Sequence, residues 1–289
     1  MAGDGKRPNN RDGRWSFTDN GTWPGPATSI DRGHTVNTYQ VLAHNVVSCS
    51  MVPVAPVAIA QCALFAGLPA ADLQDIIAAG RAYEVAQGDF FFHQGEESTM
   101  LYVIASGRVK LSQVTVDGQQ VIVNYFGPGE GLGIIMALNE QPYPLSAEAI
   151  EPCLAVGWRR DAMLQLMAGN SQLALNGLRM VGQRFTQMQS RFQELATQRV
   201  EQRVARALLR LVRQFGRRVD EGVLIDIALS REELAQMTGT NLYNVSRILS
   251  KWEQAGWIAS SRKRVILKKS HELVVLAEDL PQQGPGTRE

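Results

Sequence analysis

Residues 229–258 read LSREELAQMTGTNLYNVSRILSKWEQAGWI and carry the signals of two short helices separated by a tight turn. Ser230 and Glu233 have the spacing of a capping box, in which each side chain accepts a hydrogen bond from the other residue's backbone N–H at the start of a helix. Gly239 tolerates the positive φ that ends such a helix and permits a sharp change of direction. This stretch therefore predicts two helices joined through a glycine turn.

The second helix is expected to begin at Thr240 or Asn241, since both are favourable N-cap residues. Its expected inner face consists of Val245, Ile248, Leu249 and Trp252. Two helices joined by a short, glycine-containing turn are typical of a helix-turn-helix, whose second helix lies in the DNA major groove. Arg247 falls on the outer face, where a guanidinium can bind guanine O6 and N7. An αα-hairpin that binds no DNA is the alternative.

A β wing is predicted after Gly256, with a basic tip formed by Ser261, Arg262, Lys263 and Arg264 that suits DNA phosphates. We call the second helix of the helix-turn-helix the reading helix. Its outer face, the wing and the start of the preceding helix make up the predicted DNA-binding surface. The residues assigned to this surface are Arg231, Thr240, Asn241, Tyr243, Asn244, Ser246, Arg247, Lys251, Arg262 and Lys263.

Positive charge is concentrated in the same part of the chain. Residues 196–270 contain 15 Lys and Arg against 7 Asp and Glu, a net charge of +8, although the whole chain carries only +1. A compact basic module suggests a polyanionic partner, most often nucleic acid. A basic surface without a partner explains the charge equally well. The arginines that recur every three or four residues over 199–217 are expected to form mostly a solvated face, with one or two contacts to phosphate.

A heptad pattern precedes the basic module. Apolar residues recur at steps of 3, 4, 3, 4 and 3, which is the a/d spacing of a coiled coil. They are Leu178, Val181, Phe185, Met188, Phe192 and Leu195. We call this set the seam and predict that it pairs with the same residues of a second copy. The alternative is a helix that packs this stripe on its own β domain.

Short apolar stretches separated by glycines fill residues 81–158, which indicates a compact antiparallel β domain. Asp117-Gly118 between two β-rich runs is a strong hairpin signal. Pro53 and Pro56 oppose a regular helix, so residues 46–60 are expected to be extended. Met51 is an alternative start site. The predicted organisation is a disordered leader at 1–55, an effector domain at 56–168, a dimerisation helix at 169–196, a DNA-binding domain at 197–275 and a disordered tail at 276–289.

Residues 62–270 resemble the cAMP receptor protein/FNR (Crp/Fnr) superfamily of bacterial transcription regulators. The resemblance rests on the seam, on Ser246-Arg247, and on His93-Gln94-Gly95-Glu96, Leu101-Tyr102-Val103-Ile104, Ser106-Gly107-Arg108-Val109 and Phe126-Gly127-Pro128-Gly129-Glu130. It implies an α+β fold with an N-terminal cyclic-nucleotide-binding-like antiparallel β-roll, a long dimerisation helix and a C-terminal winged helix-turn-helix. It also implies a homodimer that reads a two-fold symmetric site on double-stranded DNA, with half-sites about one helical turn apart, and that contacts RNA polymerase.

The reading helix departs from the family at one position. Many members place Glu at the position of Tyr243, where it accepts a hydrogen bond from cytosine. Tyr cannot reproduce that charge-assisted contact, so the half-site is free to differ from TGTGA or TTGAT. Arg247 should still read a guanine.

cAMP is not expected to be the effector. Cyclic-nucleotide-binding members hold the ligand with a Gly-Glu pair and, about ten residues later, Arg-Ser-Ala. The matching positions here are Gly133-Ile134 and Leu145-Ser146-Ala147. Ile134 replaces the Glu that takes the ribose hydroxyl, and Leu145 replaces the Arg that neutralises the phosphate. A buried phosphate without a cation or a set of donors is strongly disfavoured.

No cofactor and no metal site are assigned. An FNR-type iron–sulfur cluster needs four thiolates, whereas the chain has three cysteines, Cys49, Cys62 and Cys153, so a cluster is not expected. A haem-based gas sensor is the alternative, because Gln141-Pro142-Tyr143-Pro144 resembles the nitric-oxide-responsive and FixK-like branches. The histidines are His34, His44, His93 and His271. None of them is assigned as an axial ligand, and His93 is expected in a surface turn.

Enzymes and membrane proteins are not favoured. The sequence has no glycine-rich phosphate loop, no zinc-spaced Cys/His set and no nucleophile motif, so no catalytic residue is assigned. It also has no apolar run of the roughly 18 residues that a membrane helix needs. The predicted function is cytoplasmic, DNA-binding transcription regulation by a homodimer whose β-roll senses a signal other than cAMP; activation and repression both remain open. An effector-binding module that acts on a protein partner is the alternative.

Overall fold

The computed structural model describes residues 56–279. The predicted α+β plan is confirmed: a β domain framed by short helices comes first, one long helix follows, and a smaller domain of helices and strands ends the described part. The first domain contains helices α1 (Pro56–Ala60), α2 (Ala70–Ala78), α3 (Ile134–Asn139) and α4 (Arg160–Gly169), and a 3₁₀ turn at Ala63–Phe65. Its strands are β1 (Arg81–Val85), β2 (Phe90–Phe92), β3 (Met100–Ser106), β4 (Val109–Val114), β5 (Gln120–Phe126), β6 (Gly131–Leu132), β7 (Ser146–Ala149) and β8 (Cys153–Arg159).

These strands form a β-roll of two antiparallel sheets, with strand orders β1-β8-β3-β6 and β2-β7-β4-β5. Alternation along β3 divides its side chains between two cores, because successive residues of a strand point to opposite faces. Tyr102 and Ile104 join a cluster that draws residues from both sheets. Leu101 and Val103 join a second cluster with residues of the short helices and of the long helix. We call this first domain the sensing domain.

The β4–β5 hairpin confirms the prediction made from Asp117-Gly118: the N–H of Gly118 donates to the carbonyl of Thr115 at 2.9 Å. The extended conformation predicted for residues 46–60 is wrong at its end, because Pro56–Ala60 is helical and buries Ile59 completely. Pro56 is tolerated there since the first position of a helix needs no backbone N–H. Residues 1–55, which include the predicted leader, Met51 and the rest of the segment predicted as extended, lie outside the described residues.

The long helix α5 (Ser171–Thr197) has 27 residues. Asn170 caps it by accepting a hydrogen bond from the N–H of Leu173 at 3.1 Å. One side of α5 packs on the sensing domain, with Leu173 and Met180 buried in the second cluster. Asn176 anchors the same side: its Nδ2 donates to the carbonyls of Leu64 and Ala66 at 3.0 and 2.8 Å. The seam lies on the other side.

The C-terminal domain contains helices α6 (Val200–Phe215), α7 (Arg231–Thr238), α8 (Leu242–Gln254) and α9 (Ser270–Ala277). Its strands β9 (Gly216–Val219), β10 (Gly222–Ile225), β11 (Ile258–Ser261) and β12 (Arg264–Leu267) form one antiparallel sheet in the order β11-β12-β10-β9. A single apolar core joins these elements, with Leu208, Trp252 and Leu273 fully buried. This is the arrangement of a winged helix-turn-helix.

Two element boundaries differ from the sequence predictions. The DNA-binding domain predicted from residue 197 begins with α6 at Val200, because α5 continues to Thr197 and the backbone of Gln198 and Arg199 is extended. The tail predicted as disordered from residue 276 is helical up to Ala277. Ala277 is held there because its side chain is buried and its carbonyl accepts a hydrogen bond from Arg206 Nε at 3.1 Å. Residues 280–289 lie outside the described residues.

The sensing domain contacts the C-terminal domain through β5. Ile122 and Tyr125 are buried in the apolar core of the C-terminal domain. Arg108 forms ion pairs with Glu151 of the sensing domain at 3.0 Å and with Asp226 of the C-terminal domain at 3.1 Å. Both apolar burial and ion pairing therefore fix the two domains relative to each other in this conformation.

Replacing Asn176 should destabilise the protein through the anchor of α5. Asn176→Ala leaves the Leu64 and Ala66 carbonyls without their donor, and an unsatisfied buried acceptor costs about 1–3 kcal/mol. We expect the free energy of unfolding in urea to fall by about 2 kcal/mol. Gln183→Ala, on the exposed side of the same helix, should change it by less than about 0.5 kcal/mol. Equal losses for the two variants would contradict the anchoring role.

Candidate DNA interface and effector site

The first helix of the helix-turn-helix, α7, begins at the predicted capping box. Ser230 Oγ accepts a hydrogen bond from the N–H of Glu233 at 3.1 Å, and the Glu233 carboxylate accepts one from the N–H of Ser230 at 2.8 Å. The helix ends at Gly239, whose φ of 61° is the left-handed conformation expected for this position. The local sequence thus sets both ends of α7.

Arg203 holds the turn between α7 and the reading helix. Its Nε donates to the carbonyl of Thr238 at 2.9 Å, and its Nη2 donates to the carbonyl of Gly239 at 3.2 Å. Its Nη1 donates to the carbonyl of Gln198 at 3.0 Å, in the link between α5 and α6. The prediction of a mostly solvated arginine face misses this role. Nothing in the regular spacing of the arginines distinguishes Arg203 from its neighbours.

The reading helix is α8, and Asn241 is its N-cap, since its side chain accepts a hydrogen bond from the N–H of Asn244 at 2.9 Å. The predicted inner residues Val245, Ile248, Leu249 and Trp252 are all buried. Trp252 Nε1 also donates to Glu201 of α6 at 3.1 Å. Sequence reasoning gave no role to Glu201, whose partner lies 51 positions away. With its inner face fixed in this way, α8 presents its other face outward.

The outer face of α8 carries the predicted DNA-contacting side chains. Tyr243 is 74% exposed, and Asn241 and Arg247 are also exposed. Within residues 56–279, Arg247 makes no hydrogen bond or ion pair. Asn244 and Ser246 are half-buried. Thr240 is half-buried too, and its Oγ1 accepts a hydrogen bond from Asn244 Nδ2 at 3.1 Å.

The remaining predicted residues lie at the rim of this face. Lys251, on the last turn of α8, is paired with Glu201 at 3.0 Å. Arg262 and Lys263 are exposed in the two-residue turn that joins the wing strands β11 and β12. They border a cleft of about 470 Å³ that Arg231 also lines. Arg231 also has partners within the C-terminal domain: its Nη2 donates to Ser260 Oγ at 3.3 Å and lies 3.7 Å from Glu253.

The first pair of residues in the predicted effector site, Gly133 and Ile134, lies in tight apolar packing. Ile134 is 3% exposed and belongs to the apolar cluster that includes α5. Gly133, just before it, has no room for a side chain: an added Cβ would lie 2.9 Å from the Met100 carbonyl and 3.1 Å from the Tyr143 ring. Tyr143 is buried, stacks on Phe92 at 3.8 Å and donates its hydroxyl proton to the Met100 carbonyl at 2.5 Å.

The second half of the predicted site has no charged group either. Leu145 packs against the cluster between the two sheets. Ser146 Oγ accepts a hydrogen bond from the N–H of Gln94 at 2.9 Å, so this hydroxyl is part of the strand framework. Ala147 is fully buried in β7. Thus no residue at the positions that match the ribose- and phosphate-binding residues of cyclic-nucleotide-binding members carries a positive charge.

Two protein families match the chain, the Cyclic nucleotide-binding domain over residues 83–170 and the Crp-like helix-turn-helix domain over residues 202–275. A Cyclic AMP receptor protein from Thermus thermophilus is 32% identical over 170 residues, which cover 59% of this chain and 76% of that protein. The chain belongs to the Crp/Fnr family. It is therefore a DNA-binding transcription regulator with a cyclic-nucleotide-binding-like sensing domain, as the sequence predicted.

Further comparisons agree with the Crp/Fnr assignment. The CRP-like cAMP-activated global transcriptional regulator of Mycobacterium tuberculosis is 26% identical over 215 residues, which cover 74% of this chain and 96% of that protein. The structure of FixK2 from Bradyrhizobium japonicum shares the fold, with a TM-score of 0.60, 22% identity, and coverage of 68% of this chain and 96% of that one. Within residues 56–279, every helix is too short or too polar to cross a membrane.

Within residues 56–279 of this Crp/Fnr member, no group of three or more His, Cys, Asp and Glu side chains could hold a metal ion. Burial raises the pKa of the Cys62 thiol to about 11 and that of Cys153 to about 12, so both are protonated near neutral pH. His93 is exposed in a turn after β2, with its ring 4.3 Å from that of Phe90. His271 is exposed at the start of α9. Cys49, His34 and His44 lie outside the described residues.

Proposed function

We propose that this Crp/Fnr regulator reads DNA with the outer face of α8 while its wing and the start of α7 bind the phosphate backbone. The observation that carries the proposal is the orientation of α8: its apolar side is locked into the core, and Tyr243 and Arg247 are presented outward. The basic wing tip lies beside the same surface, where phosphate contacts would set the register of the reading helix. The proposal assigns the predicted DNA-binding residues to this surface.

The proposal includes a homodimer formed through the seam. Five seam residues are between 53% and 76% exposed, namely Leu178, Phe185, Met188, Phe192 and Leu195. Val181 is half-buried. The opposite side of α5 already packs on the sensing domain, so these side chains are not covered by other parts of residues 56–279. A parallel pair of α5 helices would cover them and place two reading helices around one two-fold axis.

The seam also contacts the helix-turn-helix. A Cβ added to Gly239 would lie 3.0 Å from Leu195 Cδ2, so the last seam residue lies against the turn that precedes α8. Pairing at the seam would therefore act on the same turn that Arg203 holds. Two-fold symmetry of the protein implies a two-fold symmetric DNA site with half-sites about one helical turn apart. Contact with RNA polymerase is added to the proposal on family membership alone.

The proposal assigns a signal other than cAMP to the sensing domain. The names of two relatives include cAMP, but the positions that would bind its ribose and phosphate here are Ile134 and Leu145. Ile134 is buried in an apolar cluster, and Leu145 packs against another. A phosphate placed among them would lose its hydration without gaining a cation, which is strongly unfavourable.

Removing the guanidinium from the reading helix should weaken sequence-specific binding. Arg247→Ala is expected to cost about 1–3 kcal/mol per half-site and to relax specificity at one base pair, because a bidentate contact to guanine is lost. Fluorescence anisotropy with a set of single-base variants of the target site measures both effects. Arg159→Ala, in which an exposed arginine of the sensing domain is removed, serves as the control. A uniform loss across all sequences would contradict base reading by Arg247.

Calorimetric titration tests the effector proposal. We expect no saturable binding of micromolar cAMP in the sensing domain, because Ile134 and Leu145 supply no charge to its phosphate. The same preparation must bind its DNA site, which shows that the protein is folded. A saturable micromolar site with one cAMP per subunit would contradict the proposal for the effector and leave the proposal for DNA binding intact.

A further inference from the structure

A cleft of about 490 Å³ lies where the sensing domain, α5 and α6 meet. Its lining residues come from all three parts: Asn124 and Glu130 from the sensing domain, Arg184 and Arg191 from α5, and Arg210 and Arg213 from α6. A volume of this size is within the range of small-molecule sites. In the heptad, the α5 residues Thr186, Gln187, Ser190 and Glu194 hold positions away from the seam, and Arg184 and Arg191 hold the position that flanks it, so most of the cleft faces away from the seam.

Positive charge is in excess in this cleft. Four arginines, Arg184, Arg191, Arg210 and Arg213, face two carboxylates, Glu130 and Glu194. Only one close ion pair forms among them: Arg210 Nη1 lies 2.8 Å from Glu194. The lining therefore has a formal charge of +2 when all six groups are ionised.

Several guanidinium donors that line the cleft have no partner among the described residues. Arg210 Nε is buried behind the cleft wall and, within residues 56–279, has no hydrogen-bond acceptor. Arg184 lies over the ring of Phe126, 4.3 Å from its centroid, and within residues 56–279 it donates no hydrogen bond. Arg213 likewise makes no hydrogen bond or ion pair among the described residues. A guanidinium has five N–H donors in a planar fork that matches phosphate oxygens.

The remaining polar groups hold the walls in place. Arg191 donates to the carbonyl of Val123 and, at 3.3 Å, to Asn124 Oδ1. Gln214 Nε2 donates to Glu130 at 2.6 Å and to the carbonyl of Tyr125 at 2.8 Å. These contacts tie α5 and α6 to the same strand of the sensing domain. A ligand in the cleft would therefore contact the sensing domain, α5 and α6, which together position the helix-turn-helix.

The electrostatics favour an added negative charge. Burial, followed by the positive charge of Arg210, lowers the pKa of Arg191 to about 10. Burial also lowers the pKa of Arg184 and raises that of Glu130. Because the charged forms of these groups are desolvated, an anion among the arginines would gain more than it would on an open surface.

We propose that this cleft binds a phosphate-bearing small molecule of about nucleotide size, with the phosphate held by Arg184, Arg210 and Arg213. The site is separate from the degenerate effector site of the β-roll, which contains Ile134 and Leu145. This proposal rests on the proposed function and gives the regulator a second effector site, whose walls belong to both domains. Binding there would stabilise the arrangement in which β5 is packed on the C-terminal domain.

The test is calorimetric titration of the purified full chain with inorganic pyrophosphate at constant ionic strength. We expect saturable binding of one pyrophosphate per subunit. Arg213→Gln should weaken it about tenfold, since one charge-assisted hydrogen bond is lost. Arg218→Gln removes a nearby exposed arginine of β9 that does not line the cleft and should leave the affinity unchanged. Arg213 is exposed, so its replacement should not unfold the protein, which a melting curve checks.

Three results would overturn the proposal. The first is the absence of saturable pyrophosphate binding at millimolar concentration, and the second is an equal loss of affinity in Arg213→Gln and Arg218→Gln, which would indicate a diffuse basic surface. The third is equal affinity for citrate, which would contradict phosphate as the recognised group. Since DNA binding by Arg247→Ala is measured separately, each proposal can fail without the other.

Discussion

The exposed apolar seam of α5 is the constraint on which the rest of the structure depends. Its residues cannot turn to their own sensing domain, because the opposite side of the same helix is fixed there by Leu173, Met180 and the anchor of Asn176. Burial of apolar surface stabilises by about 25 cal/mol per Å², so five exposed large side chains on one stripe favour a partner strongly. In the proposed homodimer a second copy would supply the matching stripe, and a two-fold axis would follow from that pairing.

A chain of contacts connects the seam to the reading helix. Leu195 lies against Gly239, Arg203 binds the carbonyls of Thr238 and Gly239 at that turn, and Glu201 accepts a hydrogen bond from Trp252 of the reading helix. On the other side, β5 inserts Ile122 and Tyr125 into the core of the C-terminal domain. A ligand acts on such a system only through different affinity for two arrangements of the domains. The arginine-lined cleft lies where those arrangements would differ, since its walls belong to both domains.

Features of the fold that are governed by local chemistry could be predicted from the sequence. The capping box of Ser230 and the positive φ of Gly239 depend on residues within one or two turns of helix, and the heptad of the seam repeats along a single helix. The features that sequence reasoning missed depend on distant partners: Arg203 binds carbonyls 35 and 36 residues away, and Glu201 binds Trp252 51 residues away. The helix at Pro56 was not predicted because a proline is tolerated at the first position of a helix. The helical conformation up to Ala277 was not predicted because it depends on tertiary burial, which composition does not show. The cleft could not be predicted, since its arginines meet only when three elements of the fold come together.

Sedimentation velocity of the full chain and of Phe185→Glu tests the central claim most directly, with Gln193→Glu, at an exposed position away from the seam, as the control. If the seam forms the dimer, the native chain and Gln193→Glu sediment as dimers at micromolar concentration, and Phe185→Glu sediments as a monomer because it places a charge in the apolar stripe. A native chain that is monomeric while bound to its DNA site, or a Phe185→Glu variant that remains fully dimeric, would contradict the account.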